Sequence, residues 1–260
     1  MIDVLSHNRN AWNKESRSGN SPWCRPVDER TIAEARDDRW TVALTPNAAV
    51  PTSWFDGARG KRVLCLASGG GQQAPVLAAA GARVTSFDIS EEQLAKDELV
   101  AKREDLEIEL VQGDMADLSC FDAGRFDIVF HPVSNVFVPD VRAVWRECYR
   151  VLGSPGRLLA GFMNPAYFLF DHDAQEAGDR LVVRYRLPFA GAVHVPRAKL
   201  QQRLERREAL EFSHSLDEQI GGQIEVGFVI AGLYEDGWSD SATRLNAYMP
   251  TFIATLAIKQ

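Results

Sequence analysis

The sequence predicts an α/β fold built on a doubly wound, mostly parallel sheet. Three observations carry that expectation. From Lys61 onward short apolar runs alternate with helix-forming runs, three consecutive glycines separate the first apolar run from the first of those helices, and the second apolar run ends in an acid, Asp88. Apolar strands alternating with helices are buried on both faces, the pattern of a parallel sheet covered on either side. Right-handed crossovers then wind the chain both ways from the centre.

Residues 1–60 are irregular. Ser6 can cap a short helix through Trp12 and Asp28 a second one towards Arg36, with Gly19, Pro22 and Pro26 between them. An N-terminal helical segment packed on the core is therefore expected. The core, residues 61–164, should hold strands near Val63 to Leu66, Val84 to Phe87, Ile108 to Val111, Ile128 to Phe130 and Leu158 to Phe162. Helical runs cover Ala74 to Ala80, Glu91 to Glu104 and Val141 to Val151. After Asn164 and Pro165 the alternation stops. Residues 165–213 contain an apparent strand at Leu181 to Leu187 and a charged helix around Leu200 to Leu210, and so long an interruption reads as a cap over a substrate site. Residues 214–260 resume the pattern with a helix from Ser215 and strands at Phe228 to Leu233 and Phe252 to Ile258, giving seven strands in all.

Composition removes several partners. The net charge is −7, and the arginines near Arg203 to Arg207 are interleaved with glutamates, so no basic excess exists to neutralise phosphates and nucleic acid is not expected. The first twenty residues are polar, and no window is long and apolar enough to span a bilayer, so a cytoplasmic protein without a membrane partner is expected. Cys24, Cys65, Cys120 and Cys148 are scattered, which favours buried free thiols over a disulfide framework or zinc site. No other cluster of ligand types has metal-binding spacing.

The stretch from Val63 to Ser90 reads strand, glycine-rich turn, helix, strand, carboxylate. Gly69, Gly70, Gly71 and Ala74 satisfy G-x-G-x-x-G/A, and Asp88 lies near the roughly twenty-residue spacing of an acid that grips a ribose diol. A nucleoside-bearing cofactor follows, although a nicotinamide-dependent oxidoreductase would show the same signal. Asp88 could instead cap the helix at Glu91, but Ser90 is better placed for that. Gly113, Asp114 and Met115 follow the third strand, where a carboxylate can meet the exocyclic amine of adenine or merely shape a turn. His131, Ser134 and Asn135 follow the fourth strand and should face the cleft. His131 suits a general base or a packing role, and His214 is a second candidate base.

Together CLASGGGQQ, QGDMADLSCF, HPVSNVFVPD, WRECYRVL and GFMNP resemble the class I S-adenosylmethionine-dependent methyltransferases, in particular the type 11 or ubiquinone-biosynthesis-like group. That resemblance implies a Rossmann-like, seven-stranded sheet with an antiparallel last strand, S-adenosylmethionine as cofactor, and methyl transfer to a small-molecule acceptor. Ala67, Ser68, Gly69, Gly71, Gln72 and Gln73 then match the loop that cradles methionine, Asp88 the ribose acid and Ile89 the adenine face, with Gln93 behind them. Asp114 and Met115 match the adenine edge, and His131 flanks methionine and acceptor. Two positions depart from the pattern. Ala67 stands for the usual acid and Gln73 for the last glycine, so the cofactor's amino end must turn to Gln72, Gln73 or the N-terminal segment. Trp12 on the first helix could meet the sulfonium by cation–π attraction or serve as a packing anchor. Asn135, Tyr167 and Phe170 are candidate acceptor contacts, and the segment bearing the last two could equally be a homodimer contact. A protein of this fold that binds the cofactor without methyl transfer is the third reading.

Overall fold

The computed structural model describes residues 2–172, 181–238 and 242–260. Seven strands form one sheet: β1 (Arg62–Leu66), β2 (Arg83–Asp88), β3 (Ile108–Gln112), β4 (Phe126–His131), β5 (Leu152–Met163), β6 (Val229–Asp236) and β7 (Phe252–Lys259). Their order is β3-β2-β1-β4-β5-β7-β6. β1 to β5 pair in parallel, whereas β7 runs antiparallel to both β5 and β6. A dinucleotide-binding dehydrogenase sheet continues 3-2-1-4-5-6, so the reversed strand wedged between the fifth and sixth separates this architecture from that rival.

Side-chain alternation along β1 divides the interior in two. Val63 and Cys65 enter one core with α2 (Glu29–Arg36), α3 (Gln73–Ala79) and Val100 of α4 (Glu91–Glu104). Leu64 and Leu66 enter the other, against α5 (Val141–Val151) and its fully buried Trp145. The central strands are apolar on both faces for that reason. β3 and β6 form the edges and are only partly covered, so two-sided burial does not extend to them.

The first helix, α1 (Val4–Ser18), begins earlier and runs further than its periodicity indicates. Asp3, not Ser6, is the N-cap, accepting from Ser6 N at 3.1 Å, and Gly19 ends the helix in the left-handed region. Its buried face includes Asn8, Asn13 and Ser16, polar residues that no amphipathic pattern marks as inward. The apparent strand at Leu181 to Leu187 is not one: only Val183 pairs, in an isolated bridge with Phe170, because no neighbouring strand continues the ladder. The charged helix spans Arg197–Glu205 and stops before Leu210, with Arg207 at a positive φ of 52°. The helix after Ser215 opens as a π turn, Asp217–Gly221, and closes with Gly222–Glu225 packed on Trp145. Cys24, Cys65 and Cys148 are buried free thiols; Cys120 departs from expectation in being exposed. Among the described residues no helix is long and apolar enough to cross a membrane and no cluster of metal ligands occurs.

Candidate active site

A cavity of about 570 Å³ lies over the carboxyl ends of β1 to β4. β1 has β2 on one side and β4 on the other, so the crevice sits where the strand order reverses, the usual binding place of an open α/β sheet. Its floor is Ala67 to Gly69 after β1, Asp88 at the end of β2 with Ile89 after it, Gly113 to Met115 after β3, and Pro132 to Ser134 after β4. Val4, Leu5, Asn8 and Trp12 of α1 form a roof, and Met163, Tyr167, Glu211, Trp238 and Phe252 a far wall.

The polar face of α1 fixes that roof. Asn8 Nδ2 donates to the carbonyls of Phe137 (2.9 Å) and Leu210 (3.0 Å), and Asn8 Oδ1 accepts from Leu210 N (2.8 Å). At the other end Ser90 Oγ donates to Asn13 Oδ1 (2.7 Å), Asn13 Nδ2 to Glu91 (2.8 Å) and Ser16 Oγ to the Glu92 carbonyl (3.0 Å). Trp12 packs edge-to-face on Phe137 at 5.1 Å between these anchors. The helix thus bridges α4 and the segment around Leu210, across the cavity mouth.

Below it the glycine turn is held from both sides. Gly69 N donates to Asp88 Oδ2 (3.0 Å) and Ser90 N to Asp88 Oδ1 (2.9 Å). Gly70 has φ 124°, and a Cβ there would stand 2.5 Å from the Trp23 carbonyl, so only glycine lets the N-terminal segment lie on the turn. Gly71 N donates to Asp97 Oδ1 (2.7 Å), whose other oxygen accepts from Ser86 Oγ (2.6 Å). Burial pushes Asp88 up to about 6 against the lowering effect of its N–H donors, and Asp97 up to about 7. Each Asp88 oxygen keeps a further lone pair, enough for a vicinal diol. Ser68 Oγ, also on the cavity wall, is buried without a partner among the described residues, an unmet polar group of the kind a bound ligand satisfies. Gly113 passes directly over the Phe87 ring, where a Cβ would come within 2.3 Å of it.

Residues 64–160 match the family model described as a methyltransferase domain. The chain is also 46% identical over 259 residues to the uncharacterized methyltransferase YbaJ of Bacillus subtilis, with 100% of each chain covered. It belongs to the class I S-adenosylmethionine-dependent methyltransferases. Its fold is shared with the S-adenosylmethionine-dependent methyltransferase from Mesorhizobium loti, at TM-score 0.62 and 18% identity over 80% of this chain and 94% of that one. It is shared also with the Burkholderia thailandensis 1,6-didemethyltoxoflavin-N1-methyltransferase, solved with 1,6-didemethyltoxoflavin and S-adenosylhomocysteine. There the TM-score is 0.59 and the identity 15%, over 100% of this chain and 92% of that one.

Within the methyltransferase cavity the structure brings together Trp12, Ala67, Ser68, Gly69, Gln72, Gln73, Asp88, Ile89, Gln93, Asp114, Met115 and Tyr167. Of the two departures from the family pattern, Gln73 has a visible use, which it shares with its neighbour Gln72. Gln72 Nε2 donates to the carbonyls of Pro22 (2.7 Å) and Arg25 (3.0 Å), and Gln73 Oε1 accepts from Ala43 N (3.0 Å), so the amides hold two flanking segments against the site.

Five expected residues do not line it. Gly71 is turned away, its N–H spent on Asp97. His131 is corrected as base and as cofactor contact: it is fully buried, with its ring edge-on to Trp145 at 6.0 Å, and Pro132 takes the cavity wall. Its Nδ1 lies 2.9 Å from the Leu66 carbonyl, which places the proton on that nitrogen, and burial lowers its pKa to about 4. His214 is likewise buried, its Nε2 3.1 Å from the Asn135 carbonyl, with burial lowering its pKa. Asn135 is no acceptor contact, because it exchanges side-chain amide hydrogen bonds with Gln219 (3.0 and 3.2 Å) inside the protein. Phe170 sits in the bridge to Val183.

Glu211 is the residue that sequence reasoning missed. Residues on both sides of it are clamped: Leu210 to Asn8, and Phe212 N to the Val136 carbonyl (2.7 Å). Glu211 O itself accepts from Gly191 N (2.8 Å). The only trace in the sequence is an acid between Leu210 and Phe212 in an irregular stretch. Trp23 and Trp238, 6.3 Å apart on the rim, lie far apart in sequence, and no motif marks either.

Proposed function

We propose that this methyltransferase acts on a small molecule held beside the cofactor in the same cavity. One continuous space runs from the strand ends at Asp88 and Asp114 to the apolar wall at Met163, Tyr167 and Phe252, under a roof anchored at both ends. Its volume is within the range of roughly 300–1,000 Å³ typical of small-molecule sites.

The residues present suit S-adenosylmethionine. Asp88 would hold the ribose hydroxyls, Ile89 and Met115 the adenine faces, Asp114 its amine, and Ala67 to Gly69 the methionine portion, with Ser68 Oγ supplying an unspent polar group. The cofactor supplies an electrophilic methyl group on a sulfonium. The chain's own contribution is to align the acceptor and keep water out. Trp12 faces the space from the roof, where its ring could also meet positive charge. The 165–213 segment supplies Tyr167 and Glu211 to the far wall, in keeping with a role in acceptor binding.

Calorimetric titration with S-adenosylmethionine, S-adenosylhomocysteine and NAD tests the reading. Both sulfur nucleosides should bind and NAD should not. The reverse result would sink it, and tight cofactor binding with no turnover on any phenol, amine or thiol would favour a binding protein of the same fold.

A further inference from the structure

Glu211 lines the far wall with Met163, Tyr167, Trp238 and Phe252, and Leu5, Val136 and Phe137 also border the cavity. Among the described residues it has no side-chain hydrogen bond and no ion pair. A half-buried carboxylate without a donor is unfavourable in an apolar wall, and a ligand that donates a hydrogen bond relieves the cost. The bonds to Asn8, Val136 and Gly191 fix the main chain of this segment against the cavity. The rim adds a second feature. Trp238 stands 4.7 Å edge-on to Phe252 and 6.3 Å from Trp23, and among the described residues its buried Nε1 has no hydrogen-bond partner. Aromatic walls of this kind favour a flat ligand with some polar edge.

We propose that Glu211 takes the proton of the methyl acceptor, and that the acceptor is a small, flat, largely apolar molecule whose attacking atom is a phenolic or heteroaromatic O–H or N–H. This rests on the reading of the cavity as a joint cofactor and acceptor site. In the transfer, a lone pair of the attacking oxygen or nitrogen forms the bond to the methyl carbon. The carbon–sulfur bond breaks, its electron pair stays on sulfur, and the sulfonium becomes a neutral thioether. The acceptor's hydrogen passes as a proton to the Glu211 carboxylate and from there to water when the product leaves.

The surroundings favour that role. Burial raises Glu211 above the ordinary carboxylate range, Arg203 opposes this, and Glu208 adds to it. The nearby histidines belong to neighbouring elements: His7 of α1 meets the Glu208 carbonyl (2.8 Å), and His194 meets Ala190 N (3.0 Å). A carboxylate made more basic by burial is better suited to receive a proton than one in water.

The test uses 4-nitrophenol, whose ionisation is visible in its absorbance, titrated across pH into protein saturated with S-adenosylhomocysteine. The probe should bind, and beside an ionised Glu211 it should stay protonated to higher pH than it does free. Glu211→Gln removes the neighbouring charge, so the bound probe should ionise about one pH unit or more lower than in the wild type. Glu211→Asp should retain part of the upward shift. Affinity for S-adenosylhomocysteine, measured separately, should be the same in all three proteins and shows that each is folded. Equal ionisation of the bound probe in wild type and Glu211→Gln would overturn the role of Glu211. Failure of the probe to bind the loaded protein would overturn the acceptor class. Failure of S-adenosylhomocysteine itself to bind would remove the cofactor reading and this proposal with it.

Discussion

Asp88 links cofactor affinity to pH in a way that can be worked out from its surroundings. The side chain is 7% exposed, and burial lifts its pKa from 3.8 to about 6 even though the N–H groups of Gly69 and Ser90 pull it down. The difference corresponds to about 3 kcal/mol disfavouring the ionised form in the empty protein. Because the folded pKa is the higher one, the stability contribution is present in full below pH 3.8 and is lost as pH rises through about 6. Binding runs the other way. Only the ionised carboxylate accepts from both hydroxyls of a ribose, so affinity for S-adenosylhomocysteine should be flat above about pH 6 and fall by up to tenfold per unit below it. Asp88→Ala should weaken binding by about 1.5–3 kcal/mol, the scale of a lost charged hydrogen bond, or roughly 10-fold to 150-fold in Kd. It should also abolish the acid-side slope contributed by this group. Calorimetric titrations of both proteins across pH measure the two effects together. Unchanged affinity in Asp88→Ala, or an identical acid slope in both proteins, would refute the ribose assignment.

Three further outcomes follow from other contacts. Gly70→Ala should lower thermal stability and cofactor affinity together, because its Cβ would meet the Trp23 carbonyl at 2.5 Å on a backbone at φ 124°; an unchanged melting temperature would contradict that contact. Asn8→Ala leaves Leu210 N and the carbonyls of Leu210 and Phe137 without their partner, which should cost roughly 1–3 kcal/mol in denaturant titration and speed amide exchange in α1. Exchange in α1 as slow as in the wild type would mean that other contacts hold the roof. His131 should remain neutral from about pH 5 upward, since its folded pKa is about 4; its contribution to stability is present above the unfolded value of 6.5 and is lost as pH falls towards 4. An imidazole proton resonance for His131 with a midpoint near 6.5 would show that the ring is solvated after all.

The sequence by itself determined the elements whose reasons are local. Apolar runs of the right length gave strands that differ from the structure by a residue or two at most ends, and Asp28 and Ser90 cap their helices through side-chain bonds to backbone amides within the next few residues. The glycine turn and the acid after β2 were legible because backbone geometry and ribose chemistry both demand particular residue types at a fixed spacing. What only the tertiary structure decided depends on pairings distant in sequence. Leu181 to Leu187 has strand-like residues but no ladder to join. His131 and Asn135 stand beside the expected cleft in sequence, yet they turn inward, to the Leu66 carbonyl and to the Gln219 amide, while Pro132 to Ser134 face the cavity. α1 roofs the site through Asn8 and Asn13, whose partners lie around Leu210 and at the start of α4. Glu211 becomes a candidate only because that docking carries its short segment to the far wall. A residue type and its near neighbours set a secondary structure, whereas the orientation of a side chain towards a cavity is set by which other elements compete for the same space.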